Sequence, residues 1–227
     1  NSPRSGRNAV HRVRLPANPE LSVAIIAQLA VQAKRSPKKP TDAQFGKLVT
    51  GTIDRLHDYV DQLAAGELNP LEFGGLARSE LRNAHLQAVV MGRNLAGDLS
   101  PAELDDQLFA ELVMQEQDQY LRRFIADIEN GRYTDAEEEV LKIAQVKQRA
   151  SYYAHRLRGT ANDVMVLASD STDMWAWHQL TIEPCDDCPR LEAEGPYQGD
   201  LLPTKPGMGR TQCRTSCGCV LVRLRDG

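Results

Sequence analysis

Cys185-Asp186-Asp187-Cys188 and, after a polar Gly/Pro-rich excursion, Cys213-Arg214-Thr215-Ser216-Cys217-Gly218-Cys219 carry all five cysteines of the chain. A C-x2-C pair offers two thiolates across one tight turn, and the C-x3-C-x-C cluster offers two or three more from a second. Four soft ligands converging from two turns suit tetrahedral Zn²⁺ in a closed site with no position left for water. Such a site is a structural staple. Cys213 and Cys219 flank the second turn and are expected as its primary ligands, with Cys217 as the spare, because a C-x-C pair is tight for two corners of one tetrahedron. Two other chemistries compete for the same residues. Disulfides would leave one thiol over from an odd count, and nothing at the N-terminus reads as a secretion signal. A redox pair at Cys185 and Cys188 would open a helix within a βαβ pattern, and Asp186 and Asp187 between the thiols disfavour a thiolate unless a cation is bound. His178, seven positions before Cys185, is a further candidate ligand.

On either side of the cysteines the pattern is strand-like. Met174 to Leu180, with Trp175 and Trp177, alternates bulky and polar residues, and Val220 to Leu224 is β-branched and apolar. The two runs are expected to pair across the metal site. Gly207-Met208-Gly209-Arg210-Thr211 lacks the spacing of a phosphate-binding loop and reads as a flexible hairpin tip.

Upstream, the chain is written in helical grammar. A helix over about Pro19 to Arg35 is capped by Asn18 and ended by Pro37 and Pro40. A second opens with Thr41 and Gln44 at capping-box spacing, puts Phe45, Leu48, Val49, Ile53, Leu56, Val60 and Leu63 on one face, and stops at Gly66. Asn69-Pro70-Leu71-Glu72 starts a third, through Leu76, Leu81, Leu86 and Val90, with Gly74 and Gly75 expected to weaken or bend its first turns. Ser100-Pro101-Ala102-Glu103 starts a fourth, with Leu104, Leu108, Leu112, Tyr120, Phe124 and Ile128 at helical spacing. Thr134 and Glu137 open a fifth, carrying Val140, Ile143, Val146, Tyr153, Leu157, Val164 and Met165 toward Ala168, with a break expected at Gly159-Thr160. The fold class that follows is mainly α: a multi-helix body with a small C-terminal β/zinc-binding module. The divisions are 1–17, a basic extended arm; 18–170, the helical body; and 171–227, the Cys-rich module with a short β hairpin.

With 227 residues, 41% of them apolar, the chain can bury a sizeable core. Its formal charge of −4 hides a basic N-terminal region, where Arg4, Arg7, Arg12, Arg14, Lys34, Arg35, Lys38 and Lys39 face only Glu20 before Asp42. No apolar run reaches the roughly 18 residues needed to span a bilayer. The chain begins at Asn1 rather than Met, as expected of a trimmed, processed or partial sequence. Catalytic signatures are missing. The acidic runs Glu137-Glu138-Glu139 and Asp105-Asp106 point consecutive side chains in different directions, and His11, His57, His85, His155 and His178 fall on separate elements. The expectation is a protein that is not an enzyme.

Trp175 or Trp177, Cys185-x2-Cys188-x2-Leu191, the stretch from Pro203 to Gly207, and Cys217-x-Cys219-x-Leu221 stand in one order. In this order the C-terminal quarter resembles the head-morphogenesis, or minor head, proteins of tailed bacteriophages, the family of the phage Mu protein F. Members end with a long helix, a Trp-containing strand, a C-x2-C-x2-L segment, a Pro/Gly-rich stretch and a closing motif like P-x-H-x-N-C-R-C-x-L. Here the histidine is missing and Cys213 stands near its place, one residue further from the closing C-x-C, while Ser216 and Gly218 replace the usual Asn and Arg. The resemblance implies a virion protein present in few copies. It would act in head assembly in the host cytoplasm, docked on portal or major capsid subunits, with no catalytic residues to transfer. The alternative is a nucleic-acid-binding zinc module, in which Arg210, Arg214, Arg223 and Arg225 track phosphates of packaged DNA and the basic arm adds contacts.

Overall fold

The computed structural model describes residues 42–137, 140–180 and 185–224, all within one compact unit, Pro37–Gly227. The basic arm, the helix expected over Pro19 to Arg35, the Thr41 cap and Arg225 lie outside the described residues. Four long helices form the body: α1 (Asp42–Ala64), α2 (Pro70–Ala96), α3 (Leu104–Glu129) and α4 (Ile143–Leu167). They are followed by β1 (Met174–His178), the short helix α5 (Asp187–Glu194), β2 (Tyr197–Gln198) and β3 (Val220–Leu224). The mainly helical class with a small C-terminal strand region is thus observed.

The helix boundaries follow local chemistry. Asn69 Oδ1 accepts from the Glu72 N–H at 3.0 Å and the Glu72 carboxylate accepts from the Asn69 N–H at 2.9 Å, a complete capping box before Pro70. Gly97, at φ 108°, closes the same helix and donates to the carbonyls of Arg93 and Asn94. The fourth helix expected from the sequence starts later than Ser100. Arg93 takes the carbonyls of Ser100 and Pro101, at 3.3 and 2.9 Å, and Asp98 takes the Ser100 N–H, so these groups are committed to a loop. α3 then begins at Leu104, where the Glu103 N–H donates to Asp106. The fifth also starts later, at Ile143: Thr134 forms an isolated bridge with Leu141, and Asp135 accepts the Glu137 N–H. Gly159-Thr160 does not break α4, which runs on to Leu167.

Leu56, Val60, Phe73, Leu81, Met114, Leu121, Phe124, Ile128, Val146 and Tyr153 form the main core. Phe124 is its hub, edge-on to Phe73 and Tyr133 and stacked with Tyr153 at centroid distances of 6.1, 5.6 and 6.1 Å. The expected faces of α1 and of most of α4 are inside. On α3 the buried stripe is instead Ala110, Val113, Met114, Gln117, Leu121, Phe124 and Ile128. Leu104, Leu112 and Tyr120 are exposed, as are Leu76 on α2, Val140 before α4 and Ile143 at its start. Small and polar side chains take core positions because the helices come too close for leucine. A Cβ on Gly92 would lie 2.5 Å from the carbonyl oxygen of Ala161, so α2 and α4 meet backbone to backbone, and Gly74 seats the tip of Ile125. Gly74 therefore serves packing, and α2 continues through it.

A buried polar chain ties the same helices. His85 Nδ1 lies 2.9 Å from the Thr160 hydroxyl and its Nε2 is 2.5 Å from the Gln117 amide nitrogen. Both contacts are satisfied by a neutral imidazole that donates from Nδ1 and accepts at Nε2. Burial, helped by the charge of Arg156, lowers its pKa from 6.5 to about 3.

Two predictions follow from this packing. Gly92→Ala should cost about 1–3 kcal/mol in a denaturant titration, whereas Gly75→Ala, with nothing near the new methyl group, should be neutral or slightly stabilising. The unfolded chain binds a proton at His85 near pH 6.5 that the fold resists down to about 3. This contribution is complete above pH 6.5 and is lost as pH falls toward 3. His85→Gln should be less stable than the parent at neutral pH, yet lose less further stability on acidification, read as the shift in urea midpoint between about pH 7.5 and pH 5.

Candidate metal centre

The C-terminal module is built on a three-stranded sheet of order β2-β1-β3, with β1 antiparallel to both neighbours. The expected pairing of the two strand-like runs is present, with Trp175 opposite Arg223 and Trp177 opposite Leu221. The alternation of β1 points both indoles inward, where they pack with Met165 and Val166 of α4, Leu191 of α5, Leu221 and the cysteines. The module therefore has an apolar core of its own, fused to the end of α4.

Each cysteine turn has a defined brace. Cys188 donates its N–H to the Cys185 carbonyl at 3.1 Å and enters α5. The second turn closes through Arg214 N–H to Thr211 and Ser216 N–H to Cys213, at 2.8 and 3.1 Å, with Arg214 at φ 52°. Asp187 links the two: its carboxylate accepts the Gln212 N–H at 2.9 Å while Arg190 approaches its other oxygen. The loop before the second turn is anchored on α4. Lys205 pairs with Asp163 at 2.7 Å, Asn162 donates to the Pro206 carbonyl at 2.9 Å, and the Thr215 hydroxyl donates to the Tyr152 carbonyl at 3.3 Å. Gly207, at φ 81°, is buried directly against the backbone of Gly159, so the expected free hairpin tip is instead a packed contact that no side chain at either position would permit.

These braces bring all five thiols together. Cys185, Cys188 and Cys213 form one group and Cys188, Cys217 and Cys219 another, with the sulfurs inside each group within 4.8 Å of one another. The Sγ separations are 3.4 Å for Cys185–Cys188, 3.4 Å for Cys185–Cys213, 3.8 Å for Cys188–Cys213 and 3.8 Å for Cys188–Cys217. No S–S bond is present; all five are free. A tetrahedron with metal–sulfur bonds of about 2.3 Å has edges of about 3.8 Å, and these four separations are near that value. The clustered cysteines could hold a metal ion.

The electrostatics of the cluster are set by burial and by the closeness of the thiols to one another. Burial raises the thiols of Cys188, Cys213 and Cys217, the second to about 11, and neighbouring thiols add to it at Cys188 and Cys213. At Cys185 burial also acts upward, but hydrogen bonds from Cys213 and Cys188 outweigh it and bring the group down to about 7. Several thiolates packed this closely repel unless a cation neutralises them. The Thr211 hydroxyl lies 3.2 Å from Cys213 Sγ, a supporting contact of the kind that orients a metal ligand. Neither Thr211 nor the bridging role of Asp187 was legible beforehand, since only proximity to a cysteine marks them.

The other candidates fall away from this centre. His178 is exposed and faces Glu192 at 3.2 Å rather than the sulfurs, and Gln179 also binds Glu192. The Cys185–Cys188 pair does open a helix, but beside an antiparallel sheet and within reach of further thiols, unlike the context a redox pair uses. His57 Nε2 lies 2.9 Å from Ser151 Oγ, a pair the sequence did not suggest. Ser151 gives its proton to the Lys147 carbonyl, and no carboxylate among the described residues engages the other imidazole nitrogen, so the pair is not arranged as an activated nucleophile. Among the described residues no helix is long and apolar enough to cross a membrane.

No protein-family model, curated protein or solved structure matches the chain.

Cys188 belongs to both sulfur groups, so its loss should do most harm. In metal analysis of five purified Cys→Ser variants, Cys188→Ser should retain least metal and Cys185→Ser nearly as little. Losses at Cys213, Cys217 and Cys219 should be smaller and unequal, because a neighbouring thiol can take over. Metal content in Cys188→Ser equal to the parent would exclude the shared centre.

Proposed function

We propose that the protein is a structural minor head protein of a tailed bacteriophage, docking on portal or capsid subunits during head morphogenesis, with its C-terminal module held by a structural Zn²⁺ ion. The observation that carries the zinc reading is the gathering of five free thiols, four of whose sulfur separations, 3.4 to 3.8 Å, are near the edge of a zinc–thiolate tetrahedron. Cys185, Cys188 and Cys213 are three of the ligands on this reading, and the fourth comes from Cys217 or Cys219. Cys217 and Cys219 both stand in the group around Cys188, so either can complete the shell while the other is spare. Four thiolates close the shell, which favours a shape-holding role over catalysis.

The head-protein reading rests on the cysteine, Trp and Pro/Gly order of the C-terminal quarter. It is supported by the way that quarter is built: a stapled sheet and loop carried on the end of a long helix, with Val222 and Leu224 of an edge strand exposed for a partner. A phosphate track running along β3 is disfavoured, since Arg223 is engaged with Asp173 at 2.6 Å.

Stripping zinc with a chelator should abolish amide-exchange protection over residues 174–224 and spare most of the helical circular dichroism; unchanged protection would exclude the staple. Cosedimentation with purified tailed-phage portal and major capsid proteins tests the docking. Binding to either that persists at high salt supports an apolar interface, and failure to bind both overturns the assembly role.

A further inference from the structure

The outer side of the second cysteine turn carries a feature that the staple does not use. Residues 208–216, α3 and α4 enclose an open cleft of about 750 Å³, within the range of small-molecule sites. Four guanidinium groups line it, those of Arg149, Arg156, Arg210 and Arg214, against a single carboxylate, Glu116. Most other arginines of the body are matched, among them Arg55 with Glu80, Arg78 with Asp118, Arg82 with Glu111 and Arg93 with Asp106, and those that are not, Arg123 and Arg158, stand apart from one another rather than in one cleft. Here the balance fails. Arg149, Arg210 and Arg214 make no ion pair with a carboxylate among the described residues.

Arg156 is the decisive group. Its side chain is only 10% exposed, and its nearest anion, Glu116, is 3.8 Å away with a side chain 73% exposed to water. The other contact of its guanidinium is a long one, 3.5 Å to the Thr160 hydroxyl. A buried cation so weakly paired is costly; the charges of Glu116 and, beyond contact distance, Asp163 offset part of that cost, while Arg210 adds like charge to the same space. The Oε1 of Gln117, also lining the cleft, is buried without a hydrogen-bond partner. Both features favour a ligand that brings negative charge and hydrogen-bonding groups.

The remaining walls narrow the ligand class. Tyr120 and Tyr152 line the cleft with rings that are about half exposed, and Arg149 lies over the ring of Tyr153 at 5.4 Å. Several guanidiniums for phosphate oxygens, with aromatic surface beside them, are what a nucleotide needs: charge-assisted hydrogen bonds for the phosphate and flat apolar area for the base. We propose that this cleft binds a nucleotide unit, either free or as one residue of a single strand, with its phosphate on Arg156, Arg210 and Arg214 and its base against Tyr120 or Tyr152. The inference rests on the cleft alone and is independent of any role in a phage head.

The test uses the full chain, with labelled decathymidylate, its duplex with oligoadenylate, thymidine monophosphate, ATP and inorganic phosphate as probes. Low-salt anisotropy should show single-strand binding. Arg210→Gln/Arg214→Gln should weaken it about tenfold or more and reduce its salt slope by about 0.7 for each arginine removed. Tyr120→Ala/Tyr152→Ala should weaken it by a similar factor, while Arg132→Gln, outside the cleft lining and paired with Asp127, should leave it unchanged. Competition by either free nucleotide at matching affinity assigns the site to a small ligand, and competition by the strand alone assigns it to nucleic acid. Ultraviolet crosslinks from the strand should map to peptides containing Tyr120 or Tyr152, a readout that needs no variant. Parent-like affinity in the arginine pair variant, crosslinks confined to other peptides, duplex bound as tightly as single strand, or no binding of any nucleotide at low salt would each overturn the proposal.

Discussion

Contact of main chain with main chain along α4 is the constraint from which the rest of the structure follows. At Ala161 the helix is met by Gly92 of α2, and at Gly159 by Gly207 of the loop that leads to the second cysteine turn. Any Cβ at these glycines would collide with backbone, which cannot rotate away as a side-chain end can. The first contact sets the spacing of the bundle, and the second sets where the loop lies. With the loop held there, and pinned further by Lys205–Asp163 and Asn162 to Pro206, Cys213 and Cys217 come within reach of Cys188.

The cysteine centre and the helical body are consequently one mechanical system. Met165 and Val166, in the last turns of α4, are core residues of the module, packed with both tryptophans and the buried cysteines. A change in the sulfur cluster would be transmitted to the sheet through Leu221 and Cys219, and to the bundle through the loop over Gly159. The same loop supplies Arg210 and Arg214 to the cleft, so the position of the cysteines also decides whether those charges stand beside Arg156. The proposed metal would suit this duty, because a closed site would hold a loop whose own apolar content is small.

Polar groups divide into two kinds in this molecule. The His85 imidazole is inside, partnered at one nitrogen by Thr160 and at the other by Gln117, and held by burial in one ionisation state. Those of the arginine cleft are lopsided, with one exposed carboxylate set against four cations. Buried networks of the first kind specify how helices are aligned. Imbalance of the second kind is stabilised when an external anion arrives, which is why it points outward to a ligand rather than inward to the fold.

Much of this was readable in the residues alone. The capping box at Asn69 and Glu72, the apolar stripe of α1, the alternation around Trp175 and Trp177, and the two cysteine turns each encode their structure locally, because caps, periodicity and ligand spacing act over a few residues. Where a nearby partner intervened, the local signal failed. Arg93 and Asp98 took the polar groups of Ser100 and Pro101, and α3 began late; Leu104 and Leu112 marked a helix but not its buried side. Tertiary structure alone decided that Gly159 would be a docking point rather than a break, that His178 would turn to Glu192, and that Arg149 and Arg156 would stand beside Arg210 and Arg214, about sixty residues later in the chain. Long-range approach depends on the sum of many packing contacts, and no short stretch of sequence carries that sum.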